Sequence, residues 1–352
     1  MIDFLPNGRP ALVLAPMQDV TDLPFMRVLA RRGAPDWFVT EYFRVHPDSK
    51  LNAYILRSID ENETGRPVFA QMIGRDIPAL VRTAGELARH PIAGIDLNLG
   101  CPAPIVCRKD AGGGLLRDPE MVDRIIGTLR DAFPGRFTVK TRVGYHDASE
   151  FPKLLEIFRR HAIDGLTIHG RTVGERYATP VHPDCVRAAV EMMSCPVIAN
   201  GNVVDVETGR AYLRKTNAAG LMVGRGAIRN PWIFSQLAAA FDGMEPMIPT
   251  RRDLLDYIRD LYDEMARESI RFDPMGHVQR MKRPLVYISH GLDETFEQQI
   301  RRAKTPEEFS AICAAHLDND DPLPAKPPVE SKLFCGFEDL AADRLSASGG
   351  GP

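Results

Sequence analysis

Eight short apolar or β-branched runs, each followed by a stretch with helical spacing, constrain this chain more than any other feature. They are Leu12–Met17, Trp37–Phe43, Val68–Gly74, Gly94–Gly100, Phe137–Gly144, Gly165–Arg171, Pro196–Asn202 and Gly220–Gly226, recurring roughly every 25–40 residues. Alternation of this kind is what βα units produce. Eight parallel strands with eight crossovers predict an α/β fold, a (β/α)8 TIM barrel. The intervening segments agree. Ile77, Leu80, Ala84 and Leu87 share one helical face, and Asp118-Pro119-Glu120 reads as an N-cap followed by Pro at the first helical position. A doubly wound open sheet is the competing architecture. It would place a glycine-rich turn directly after the first strand, where this chain has Ala15-Pro16-Met17-Gln18.

The strand signal stops near Met244. From Arg251 to Phe272, Leu254, Leu255, Ile258, Leu261, Tyr262 and Met265 recur at helical spacing. Three units are therefore expected: a barrel over 1–243, a helical domain over 244–316 and a disordered tail over 317–352. The tail is assigned on its Pro-rich acidic stretch and its Ser/Gly-rich end. Within it, Leu333-Phe334-Cys335-Gly336-Phe337 is an apolar piece that could dock on the body. Six cysteines show no CxxC pair and no His/Cys spacing suited to a metal, so no metal site is assigned and the thiols read as reduced. The start carries no basic region leading into a long apolar one, and no window suits a membrane span. The chain is expected to be cytoplasmic, monomeric and free of membrane. A formal charge of −3 gives no bulk signal for nucleic acid, which must come from local patches.

Strand parity sharpens the barrel reading, because alternate side chains face the axis and the C-terminal strand ends build the active site. Gln71, Asp96, Asn98, Lys140, Arg142, Thr167, His169 and Arg171 fall opposite the apolar partners in their runs, and Cys101 sits just beyond one tip. One strand-end Lys or Asn is usually solvated or caps a helix; so many on one rim suggest a site. Glycines in Ala199-Asn200-Gly201-Asn202 and Gly224-Arg225-Gly226 fall where barrels commonly bind phosphate, which favours a phosphorylated cofactor.

The motifs APM, QMIG, DLNLGCP, GGGLL, VKTRVG, IHGRT, ANGN and GRGA occur in that order. With them the chain resembles the tRNA-dihydrouridine synthases over Leu12 to Arg302, closest to the bacterial dihydrouridine synthase C branch. The resemblance implies a flavin mononucleotide (FMN) barrel with a helical C-terminal domain, reducing uridines in tRNA with NADPH. Carried over by position, it makes Cys101 the proton donor. It places Pro16, Met17, Gln71, Lys140, His169, Asn200, Gly201, Asn202, Gly224 and Arg225 around the cofactor. It puts Asn98, Arg142 and Tyr177 at the substrate nucleotide, and Glu41, Arg280, Lys282, Tyr287 and Arg301 where the C branch sets its tRNA orientation. That branch modifies the D-loop uridine at position 16. Asn202 departs from the acidic residue that many relatives carry there.

The chemistry suits these residues. A hydride from flavin N5 adding to uracil C6 leaves enolate charge that protonation at C5 quenches. A thiol with its ordinary pKa of ~8.5 holds that proton at neutral pH. Lys140 is expected near flavin N1/O2, stabilising the anionic reduced ring. The loop from Ala103 to Leu115, with its three glycines, is expected to close over the nucleotide. The target base must leave its stack to reach a barrel mouth. Two rival readings remain: a flavin barrel acting on a free pyrimidine, and a tRNA-binding barrel whose catalysis has lapsed.

Overall fold

Nine parallel strands form one sheet in the order β2-β1-β9-β8-β7-β6-β5-β4-β3, and an additional β2–β4 pairing closes it into a barrel. The strands are β1 (Ala11–Leu14), β2 (Trp37–Val39), β3 (Phe43–Arg44), β4 (Val68–Ile73), β5 (Gly94–Leu99), β6 (Phe137–Arg142), β7 (Gly165–His169), β8 (Val197–Asn200) and β9 (Gly220–Val223). This computed structural model describes residues 5–268 and 273–341. The expected TIM barrel is present, with the second predicted run divided into β2 and β3. The break has a local cause. Thr40 N donates to Phe69 O at 2.9 Å, while Thr40 Oγ1 accepts from Gln71 N at 3.0 Å. A side chain thus takes over one ladder position, and Tyr42 emerges at the mouth.

Parity sorts the strand residues as a barrel requires. Leu12, Leu14, Ala70, Met72, Ile95, Leu97, Leu99, Val139, Leu166, Ile168, Leu221 and Val223 join the core shared with the outer helices. Ala11, Val13, Trp37, Val39, Phe69, Ile198 and Met222 form a second, separate core inside the barrel. That inner core comes from β1, β2, β8, β9 and the start of β4. The axial positions of β5, β6 and β7 are polar. The interior is therefore lopsided, apolar along one half and polar along the other.

The helix N-termini are set by side chains. Asp22, Asp76 and Asp118 each accept a backbone N–H in the first turn of the following helix, with Pro at its start. Beyond the barrel lie helices Arg251–Arg267, Pro274–Ile288, Glu294–Arg302 and Pro306–Leu317. The first packs on the barrel helix Leu23–Gly33, where Arg27 meets Glu268 at 2.6 Å and Arg31 meets Glu264 at 2.8 Å. No described helix is long and apolar enough to cross a membrane.

The C-terminal segment corrects the expectation of a disordered tail from residue 317. Residues 318–341 run back across the barrel top. Phe334 and Phe337 are buried beside Val204, and Leu340 joins the main core. The acidic, Pro-rich stretch hides this ordering because its contacts are made largely by backbone carbonyls, which composition does not register. The remaining part of the expected tail, 342–352, lies outside the described residues.

Candidate active site

Neighbouring strands bring the axial polar residues into rows. Gln71 is registered with Asp96, Asn98 with Lys140, Arg142 with His169, and His169 with Asn200. Above them, at the C-terminal strand ends, opens a cavity of about 570 Å³. Pro16, Met17, Asn98, Cys101, Lys140, Arg142, His169, Tyr177, Asn200, Gly201, Asn202, Gly224, Arg225 and Tyr287 all line it. This size suits a small-molecule or cofactor site.

The loop after β5 owes its shape to Asn98. Its Oδ1 accepts from both Gly100 N and Cys101 N at 3.0 Å, and its Nδ2 donates to Gln71 Oε1 at 2.8 Å. Gln71 Nε2 donates in turn to Asp96 Oδ2 at 2.7 Å, and Thr138 Oγ1 donates to Asp96 Oδ1 at 2.6 Å. Gln71 therefore stands behind Asn98 and does not border the cavity, one layer deeper than its assignment as a cofactor contact implied. The glycine loop also differs from expectation. Gly112, Gly113 and Gly114 are buried, and a Cβ on Gly113 would meet Val173 at 2.7 Å and Cys101 O at 2.9 Å. These glycines permit close packing beneath the thiol loop, with Gly113 N donating to Cys101 O at 3.1 Å. Pro102, Ala103 and Pro104, just ahead of them, do border the cavity.

Burial pushes the Asp96 carboxyl up to about 6, against the hydrogen bonds from Thr138 and Gln71 and the charge of Lys140. A carboxyl whose folded pKa is raised keeps its proton while the unfolded chain ionises. Stability then falls as pH rises from about 4 to 6. Asp96→Asn removes that dependence, and the Thr138 hydroxyl can accept from the new amide. Between pH 4.5 and 7.5 the wild type is expected to lose about 2 kcal/mol relative to Asp96→Asn in urea melts. Parallel pH profiles would contradict the assignment.

Charge around the cavity is one-sided. Lys140 has no hydrogen bond or ion pair with any described residue, and burial, then the neighbouring Arg142, lowers its pKa to about 8. His169 is held well below its ordinary value by burial and then by Arg142 and Lys140, so its ring is neutral. Its buried Nδ1 has no hydrogen-bond partner among the described residues. Arg142 is buried and donates to Gly100 O at 2.9 Å, Thr172 O at 2.7 Å and Arg176 O at 2.8 Å. The guanidinium thus fastens the thiol loop to the loop after β7, and it also borders the cavity where the substrate was expected. Tyr177, 43% exposed, sets its ring edge-on to His169 and beneath Arg225, whose guanidinium carbon lies 4.6 Å from the ring centre. Three cations and an unpartnered imidazole facing glycine-flanked strand ends suit an anionic, ring-bearing group.

Tyr42 escaped the sequence analysis. It lines the cavity beside Cys101. Burial, followed by the nearby Cys101 thiol, raises its pKa. The only available signal was its place at the broken end of the second run. Arg171 was noted for parity alone, yet it is fully buried and donates to Asn202 Oδ1 at 2.8 Å.

The five orientation residues do not form one patch. Tyr287 is at the cavity rim. Glu41 is buried just behind it, accepting from Gln18 Nε2 at 2.9 Å, and burial with nearby Asp22 and Asp19 pushes its carboxyl up to about 8. Burial raises the pKa values of Asp22 and Tyr54 in the same cluster, and the charge of Arg280 partly offsets that rise. Lys282, on the same helix as Arg280, is half-buried. Arg301 stands apart, paired with Glu297 at 2.9 Å beside a shallow surface depression bordered by Lys332 and Leu333.

Comparison with known proteins matches residues 13–320 to the family described as dihydrouridine synthase (Dus). A tRNA-dihydrouridine(16) synthase of Neisseria meningitidis serogroup B is 33% identical over 88% of this chain and 95% of that protein. One of the same name from Pseudomonas putida is 31% identical over 80% of this chain and 89% of the relative. A "Probable tRNA-dihydrouridine synthase 2" of Bacillus subtilis is 32% identical over 75% of this chain and 81% of its own length. Among solved structures, histamine dehydrogenase from Rhizobium sp. 4-9 superposes with a TM-score of 0.51 at 12% identity. It covers 71% of this chain and 49% of its own, a likeness of fold alone.

Proposed function

The chain belongs to the dihydrouridine synthase family, and on that premise we propose that it reduces the C5–C6 double bond of a D-loop uridine in tRNA, at position 16, using FMN at the barrel mouth and NADPH as electron source. The observation that carries this reading is the meeting, in one cavity, of a half-exposed thiol, a lysine with no described partner and glycine-flanked strand ends beside an arginine. The residues fit a flavin nucleotide. Gly201, Asn202, Gly224 and Arg225 would hold its phosphate end, and Met17, Met222 and Val223 give the ring an apolar wall. Lys140 and the unpartnered His169 would meet its polar edge. When bound, the flavin supplies the hydride that reduces uracil C6.

The chain's own residues do the rest. Cys101 gives its proton to C5 of the uracil and so quenches the charge developing on the base. Tyr42 lines the cavity beside that thiol. Lys140 offers positive charge to the polar edge of the ring. Tyr177 and Tyr287 present aromatic faces at the entrance for an extruded pyrimidine. Arg142 keeps the two loops in register. Contacts from the helical unit, among them Arg280, Lys282 and Arg301, would seat the tRNA body and offset the cost of extruding the base.

The test is to incubate the purified protein with NADPH and tRNA from a strain lacking dihydrouridine synthases, then map the product. Dihydrouridine at position 16 is expected, with free uridine used at least about a hundredfold less efficiently because it forfeits the binding energy of the tRNA body. Rapid use of free uridine would turn the reading into a free-pyrimidine reductase. A colourless protein that forms no dihydrouridine would leave only a lapsed tRNA-binding barrel.

A further inference from the structure

The matched family region ends at residue 320, yet the wall of the cavity does not. Lys332, Leu333 and Phe334 border it, from a segment that reaches the barrel top under several restraints. Arg229 donates to Pro324 O at 3.1 Å and Lys326 O at 3.2 Å, and His290 Nε2 meets Ser331 Oγ at 2.7 Å. The same Ser331 oxygen accepts from Leu333 N and Phe334 N, which turns the chain toward the mouth. There, the carbonyls of Leu333, Cys335 and Gly336 are taken by side chains from three strand ends. Arg225, after β9, donates to Leu333 O. Arg171, after β7, donates to Cys335 O at 2.8 Å, and Asn202, after β8, donates through Nδ2 to Gly336 O at 2.6 Å. Gly336 has φ +75°, and a Cβ there would meet the Pro180 backbone at 2.9 Å, so the turn requires glycine.

We propose that residues 328–341 are a retaining strap for the phosphate end of the flavin nucleotide, latched onto the strand ends that cradle it. The inference rests on the flavin reading above. Its strongest support is Asn202, whose amide joins the strand end to the strap. The Asn202 amide accepts from Arg171 and donates to the Gly336 carbonyl at once. A carboxylate could do only the first and would face a carbonyl oxygen with no proton between them. The asparagine therefore suits the latch. Its left-handed backbone, φ +59°, is one that Asn and Asp both tolerate, so Asn202→Asp changes the latch without straining the turn. Arg225, held between Tyr177 and Phe334 and fixed by Leu333 O, is oriented by the strap before any ligand arrives.

Ligand retention and strap closure must be reciprocal if they are coupled. Hydrogen exchange of residues 331–341 in the full-length protein should slow when FMN is added to the flavin-free form, and riboflavin, which lacks the phosphate, should have much less effect. Asn202→Asp and a chain ending at Lys326 should each release FMN about tenfold faster or more, read from the rise in flavin fluorescence on dilution. Asn202→Asp serves as the second variant should the shortened chain fail to fold. Exchange indifferent to FMN, or wild-type release from Asn202→Asp, would overturn the strap while leaving the flavin reading intact. A wild-type protein that neither carries nor takes up FMN would overturn both.

Discussion

Cys101→Ala is expected to keep its fold and its flavin and to lose about 10²–10⁴-fold in the rate of dihydrouridine formation, the usual worth of a positioned acid. The loop does not depend on the sulfur. Asn98 holds its backbone through Gly100 N and Cys101 N, and Gly113 N binds Cys101 O. The side chain is half-exposed to the cavity, so its truncation opens no sealed void. The readout is a single turnover: the enzyme is reduced without oxygen, mixed with unmodified tRNA, and followed by flavin absorbance and by product mass. A variant within threefold of wild type would transfer the acid role to Tyr42 or to solvent.

Lys140→Met should move activity and stability in opposite directions. The Lys140 ammonium has lost most of its hydration with no described partner, and its pKa falls to about 8. For a base with a lowered folded pKa, the charged form costs stability below that value, and the cost fades as pH rises through about 8 to 10. At pH 7 the flavin-free methionine variant should therefore be the more stable by about 1–2 kcal/mol, after discounting for water in the cavity. The difference should shrink toward pH 10. With the cation gone, the reaction should slow by about 10²–10³-fold. The flavin's midpoint potential should drop by about 30–60 mV, the equivalent of one modest charge interaction in a two-electron couple. Urea melts of the flavin-free forms and a spectroelectrochemical titration check the two halves separately. An unchanged potential together with a near wild-type rate would remove Lys140 from the chemistry. Opposite movements of activity and stability would mark Lys140 as a stability sacrifice of the kind that strained sites commonly show.

The barrel was legible because its rule is periodic. Parity alone separated Ile95, Leu97 and Leu99 from Asp96 and Asn98, and the structure places the first three against the helices and the others toward the axis. What parity could not supply was depth. Gln71 and Asn98 share the axial side, yet Asn98 borders the cavity and Gln71 lies beneath it, because the cavity begins only at the strand tips. Composition misled at two places. Gly112–Gly114 reads as freedom but serves contact, since the space beside each glycine is already filled. The stretch after Leu317 reads as unable to bury a core, yet it orders through carbonyls received by Arg171, Asn202, Arg225 and Arg229. Tyr42 was invisible for a different reason: its importance comes from a strand break caused by Thr40, a tertiary event with no sequence period.

The three bonds of Arg142 have a mechanical consequence. One guanidinium grips Gly100 on the thiol side and Thr172 and Arg176 on the tyrosine side. The gap between these banks is thereby a single adjustable dimension. Selection for a bulkier or smaller base should then recover paired changes on opposite banks, and a lysine at 142, with its lone ammonium, would let the gap wander.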